Sequence, residues 1–79
     1  MDYVVYILFS EGISQYYAGQ TENIEKRIIR HNRGLVKSTK RGVSWKLIKI
    51  IPVSSRAEAM KLERKVKKRG IKRFLADLT

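Results

Sequence analysis

The sequence predicts a small α/β (α+β) domain whose elements run β-β-α-β-α-α. Three observations carry this: two β-branched and aromatic runs one turn apart, a third such run beginning at Trp45, and two stretches with helical spacing and recognisable caps. Tyr3 to Phe9, YVVYILF, is too short and too β-branched for a helix and reads as a strand buried on nearly both faces. Glu11 to Ser14 turns the chain. Gln15 to Gln20 is a second strand, and the short turn makes the pair an antiparallel hairpin with Tyr6 and Tyr17 on neighbouring strands.

Asn23 suits an N-cap, Glu25 the positive first turn, and Gly34 the left-handed position after a helix, which predicts a helix over Ile24 to Arg33. Its inward stripe is Ile24 and Ile28, while Arg27 and His31, four apart, share one face. Gly34 to Val43 follows as a polar, basic loop. Trp45 to Val53 is the third strand, and Pro52 places its end at a sheet edge. Ser55 to Glu58 has the pattern of a capping box and opens a helix to about Arg69, closed by Gly70. Ala59, Leu62 and Val66 line that helix inwardly; Ile71, Phe74, Leu75 and Leu78 do so in a last short helix that must pack back on the sheet.

The 79 residues have room for one domain, 1–79, since a chain of this size buries only about 60 % of its unfolded surface. Eighteen Lys and Arg against seven Asp and Glu leave a net charge of +11, which points to a polyanionic partner, nucleic acid before an anionic membrane. No apolar run approaches the roughly 20 residues of a membrane span, and Met1 to Ser10 lacks the marks of a signal peptide, so a cytoplasmic protein is expected. The absence of cysteine excludes disulfides, thiolate zinc sites and a Cys nucleophile, and a single histidine excludes a multi-His site. The acids are scattered singly, which leaves room for one metal ion at most.

Val4-Val5-Tyr6 on the first strand, Tyr17-Ala18-Gly19 on the second, Arg27 and His31 on the first helix and Glu63 on the second stand in a telling order. Over nearly the whole chain this arrangement resembles the GIY-YIG nuclease superfamily. The likeness is to its small standalone members, which are similar to the amino-terminal nuclease module of the excision-repair endonuclease. It implies a three-stranded, mainly antiparallel sheet flanked by helices. The Gly-Ile-Tyr motif falls on Val4, Val5 and Tyr6, with valine for glycine as in other standalone members, and Tyr-Ile-Gly falls on Tyr17, Ala18 and Gly19. The family's arginine falls on Arg27, its histidine on His31 and its metal-binding glutamate on Glu63. A late asparagine of some members has no counterpart here.

The resemblance implies a metal-dependent DNA endonuclease, weakly sequence-specific or structure-preferring, with repair or recombination as its setting and DNA favoured over RNA. Glu63 would hold one Mg²⁺ or Mn²⁺. Tyr6 is the candidate general base if cations lower its phenol from its usual pKa of about 10. Arg27 would clamp the phosphate with its fixed fork, and Tyr17 would orient water or donate to a phosphate oxygen. His31 shares the base role or holds a tyrosine hydroxyl; the residues leave both open.

Plainer readings stand beside these. Strand tyrosines usually pack half-buried, which is the reading for Tyr3 and Tyr16, and Trp45 reads as a core-edge anchor before a base-stacking residue. Arg27 and His31 could be a solvated helix face, and Glu63 could form surface ion pairs with its neighbours. Glu63 adjoins Ala59 and Val66, however, so its stem points toward the sheet. Gly19 is small because backbone must approach closely there. The run Arg64, Lys65, Lys67, Lys68, Lys72 and Arg73 contains no acid and reads as a phosphate-binding surface, with Lys37, Lys40 and Arg41 as a second contact. The rival to the nuclease is therefore a non-catalytic basic nucleic-acid-binding module.

Overall fold

In the computed structural model, which describes residues 2–78, β1 (Tyr3–Ser10), β2 (Gln15–Thr21) and β3 (Trp45–Val53) form one antiparallel sheet in the order β2-β1-β3. The helices are α1 (Ile24–Asn32), α2 (Arg56–Arg69) and α3 (Ile71–Asp77). The order β-β-α-β-α-α is thus the one the sequence predicts; Met1 and Thr79 of the predicted domain lie outside the described residues.

Central placement explains why β1 is apolar without alternation. Val5, Tyr6, Ile7 and Leu8 are all 0 % exposed, because the strand has a neighbour on each edge and a helical layer on each face. Tyr6 and Leu8 join Trp45 under Ile24 and Ile28 of α1. Ile7 joins Ala18 and Val66 on the opposite face, beneath Leu62 of α2 and Ile71, Phe74 and Leu75 of α3. Burying such side chains contributes roughly 1.5–3 kcal/mol each.

Local signals hold the helices where expected. Asn23 Oδ1 accepts from the Lys26 backbone N–H at 3.1 Å, and Ser55 Oγ from that of Glu58 at 3.2 Å. Gly34 and Gly70 have φ of +73° and +94°, values that favour glycine. Pro52 lies on the edge strand opposite Val4, where its missing N–H is tolerated.

Two expectations are corrected. The stretch from Gly34 to Val43 is not merely a loop: Lys37–Gly42 is a 3₁₀ helix with Thr39 buried. The cause is Trp45, whose indole N–H donates to the Thr39 carbonyl at 2.8 Å while its ring lies where a Gly42 side chain would be. Asn32 braces the same residue, its Oδ1 accepting from the Trp45 N–H at 2.6 Å and its Nδ2 donating to the Trp45 carbonyl at 3.2 Å. Trp45 is accordingly an anchor. Leu78, expected to pack inward, lies past the end of α3 and is 48 % exposed.

Candidate active site

Tyr6 sits opposite Gly19 on the paired strands. A β-carbon at position 19 would lie 2.5 Å from the Tyr6 hydroxyl and 3.1 Å from the Tyr17 ring. The close approach anticipated at Gly19 is therefore real, and what it clears is the Tyr6 phenol. Gly19→Ala should lower stability by about 1–3 kcal/mol through overpacking against a side chain that cannot retreat; a denaturant midpoint equal to wild type would refute this.

The Tyr6 hydroxyl is held from α1. Arg27 Nε donates to it at 3.3 Å, and His31 Nε2 lies 2.9 Å away. The His31 Nδ1 is 2.7 Å from Thr39 Oγ1, and Thr39 in turn donates to the Val36 carbonyl at 3.3 Å. Since arginine only donates and the single Thr39 hydrogen serves Val36, the consistent assignment is Arg27 to Tyr6, Tyr6 to His31 Nε2, and His31 Nδ1–H to Thr39. His31 is 0 % exposed. Burial, reinforced by the charges of Arg27 and Arg30, lowers its pKa to about 4, so the ring is neutral as this assignment requires.

Tyr6 itself departs from the sequence reading. Burial raises its pKa, and the hydrogen bond from Arg27 only partly opposes this, so in the protein alone cations do not turn it into a phenolate. Tyr6 is a neutral phenol with both sides of its oxygen engaged.

Because an unfolded histidine titrates near pH 6.5, the unfolded chain takes up a proton that the native fold refuses. This contribution of His31 to stability is complete above about pH 6.5 and is lost as the pH falls toward 4. The difference amounts to about 3 kcal/mol. Urea unfolding at pH 7 and pH 4 should show a larger acid loss in wild type than in His31→Gln; equal losses would remove the effect.

Tyr17 packs edge-on against His31 and Trp45, with ring centroids 5.2 and 6.2 Å away, and 6.4 Å from Tyr6. Its hydroxyl makes no hydrogen bond among the described residues, so it can serve a ligand. Glu63 belongs to α2, on the other face of the sheet, and borders the edge strand near Gln20. Its side chain is 22 % exposed and accepts from Lys67 Nζ at 2.8 Å. Lys67 Nζ also lies 5.8 Å from the centre of the Tyr17 ring. The two sheet faces thus meet around the free edge of β2.

This placement reassigns Lys67 from the general basic surface to the immediate neighbourhood of Glu63 and Tyr17. Arg64 lines the same edge as Glu63, and Arg41 borders a cleft beside Tyr17 and Trp45. Lys37 and Lys40 are exposed on the same 3₁₀ helix as Thr39, Lys72 is exposed on α3, and Lys65, Lys68 and Arg73 lie elsewhere on α2 and α3. Thr39 and Asn32 were missed by sequence reasoning; a loop threonine eight residues from a histidine carries no spacing signal, and Asn32 reads as an ordinary helix-end residue.

Among the described residues no group of three or more His, Asp or Glu could enclose a metal. A lone carboxylate nonetheless fits a hard divalent ion that keeps most of its waters and completes its shell with substrate phosphate oxygens. The residues present fit that style of binding at Glu63 and not a protein cage.

A three-stranded antiparallel sheet with paired tyrosines, an arginine and histidine on one helix and a glutamate arriving from another defines a class. The GIY-YIG catalytic domain matches residues 2–73, and the chain belongs to that family of nucleases. A solved relative is the UPF0213 protein of Bacillus halodurans, known from a solution NMR structure. It is 30 % identical with a TM-score of 0.61, over 100 % of this chain and 86 % of its own. Among curated proteins there is no match.

Proposed function

We propose that this chain is a metal-dependent DNA endonuclease, weakly sequence-specific or structure-preferring, acting in the cytoplasm. The observation that carries the reading is the convergence of Arg27 Nε and His31 Nε2 on the single hydroxyl of Tyr6. Such an arrangement is more than packing demands, because a buried phenol needs only one partner.

Hydrolysis requires that water lose a proton as its oxygen attacks phosphorus and the bond to the 3′ oxygen breaks. Tyr6 takes that proton while passing its own to His31 Nε2, so no free phenolate is needed; Thr39 keeps the imidazole oriented through Nδ1. Arg27 remains charged throughout and can turn its unused guanidinium N–H groups to the phosphate oxygens. Tyr17 donates its free hydroxyl to the phosphate or to the attacking water. Glu63 would hold the Mg²⁺ or Mn²⁺, and the bound ion would neutralise charge developing on the phosphate and leaving oxygen. Lys67, released from Glu63, becomes an additional phosphate contact. Because Tyr6 is fully buried, neighbouring side chains must give way as the phosphate enters.

The direct test is nicking of supercoiled plasmid and of a branched duplex at low salt with Mg²⁺, Mn²⁺ or EDTA. Cuts that need the metal and are stronger on the branched substrate support the nuclease and a place in repair or recombination. DNA that is retarded but intact in every lane replaces this reading with the non-catalytic basic binding module.

A further inference from the structure

The basic run along α2 and α3, continuous in sequence, divides in space. With about 100° of rotation per residue, Glu63 and Lys67 fall within about 40° of one another, while Lys65 and Arg69 fall about 200° and 240° around the helix from Glu63. Glu63 and Lys67 meet the edge of β2, whereas Lys65, Lys68, Arg69 and Arg73 line an open groove of about 580 Å³ between α2 and α3. The groove also takes in Phe74, Leu78 and one carboxylate, Asp77.

Its charges are unbalanced. Asp77 Oδ2 accepts from Arg69 Nε at 2.8 Å, and among the described residues no carboxylate pairs with Lys65, Lys68 or Arg73. The groove is also not purely ionic: Leu78, nearly half exposed, and the half-buried ring of Phe74 supply apolar wall. Cations that track a backbone beside aromatic and apolar surface suit an unpaired strand, whose bases are free to lie against that surface, better than a duplex whose bases are stacked inside.

We propose that the α2–α3 groove binds a single-stranded nucleic-acid segment, separate from the strand cleaved at Tyr6 and Glu63. Lys65, Lys68 and Arg73 contact its phosphates, and a base lies against Leu78 and the exposed part of Phe74. Asp77 competes for Arg69 and limits the affinity. With α2 as the divider, one molecule holds a scissile duplex on one flank and an unpaired arm on the other, which makes a branched junction the preferred substrate. The inference deepens the nuclease reading by specifying its substrate class, but the binding step requires no cleavage.

The test is fluorescence anisotropy with oligo(dT) and with a blunt duplex in EDTA, across a range of salt. Removing three cations with Lys65→Gln/Lys68→Gln/Arg73→Gln should weaken oligo(dT) binding at least tenfold and flatten its salt slope by about 2, at roughly 0.7 per phosphate contact. Duplex binding should change less than threefold. Leu78→Ala should weaken oligo(dT) severalfold with no effect on duplex, and Asp77→Asn should tighten it, a gain that misfolding cannot produce. Equal losses for duplex and oligo(dT), or a groove variant that binds both like wild type, would overturn the proposal. If the nicking assay shows no cleavage while these variants still lose oligo(dT) selectively, the nuclease reading fails and the groove stands; cleavage with unchanged oligo(dT) binding overturns the groove and leaves the nuclease standing.

Discussion

Glu63→Gln should reduce cleavage by about 10³-fold or more while DNA binding stays the same or strengthens. The rate loss corresponds to several kcal/mol of transition-state charge stabilisation, the scale a metal-held phosphate supplies. Glutamine keeps the size and packing of the side chain beside Gln20 and Met60, so the fold should survive. Binding should not fall, because removing a carboxylate near phosphate lessens repulsion and frees Lys67, now held at 2.8 Å. Calorimetric titration with Mn²⁺ adds a readout independent of cleavage: wild type should bind and the variant should not. A surface-only Glu63 would leave both the rate and the titration unchanged, since exposed i,i+4 ion pairs contribute only about 0.3–0.5 kcal/mol.

Tyr6→Phe should lower cleavage by about 10²- to 10⁴-fold, the usual span for removing a group that moves a proton in the transition state. The ring still fills its place against Leu8 and Trp45, but His31 Nε2 is left without its partner in a buried position. That orphaned nitrogen should cost about 1–3 kcal/mol of stability, so the experiment pairs single-turnover rates with denaturant unfolding. Cleavage at wild-type level in a folded Tyr6→Phe protein would remove Tyr6 from the chemistry. The pH profile sharpens the point. With Tyr6 held above its ordinary value and His31 at about 4, both groups keep the neutral forms the relay needs, so the wild-type rate should stay level through the neutral range with no inflection near 6.5. A break at 6.5 would instead identify an ordinary, solvent-exposed histidine.

Much of this molecule is legible along the chain because its signals are short-range. The caps at Asn23 and Ser55, the glycines at 34 and 70 and the apolar run of β1 each depend on a few neighbouring residues, and each marks an element that forms as expected. The i, i+4 spacing of Arg27 and His31 likewise brings both side chains to one point, the Tyr6 hydroxyl. Net charge is a property of composition and needs no fold at all.

What depends on contacts between distant segments could not be read this way. The buried Thr39, which orients His31, owes its place to Trp45 folding back on the 3₁₀ helix. The rise in the Tyr6 pKa comes from the layers that enclose it, whereas its cationic neighbour alone would have argued for a fall. Local periodicity places lysines at successive positions of one helix; only the packing of α2 across the sheet and against α3 decides that Lys67 meets Glu63 at the β2 edge while Lys65 and Arg73 face a separate groove. The order of the elements, their ends and the chemical types available to the site are thus written along the chain. Which of those groups are buried, which share a proton and which face solvent emerges only in the folded molecule, because burial and electrostatics are set by whatever lies nearest in space and not by what lies nearest in the chain.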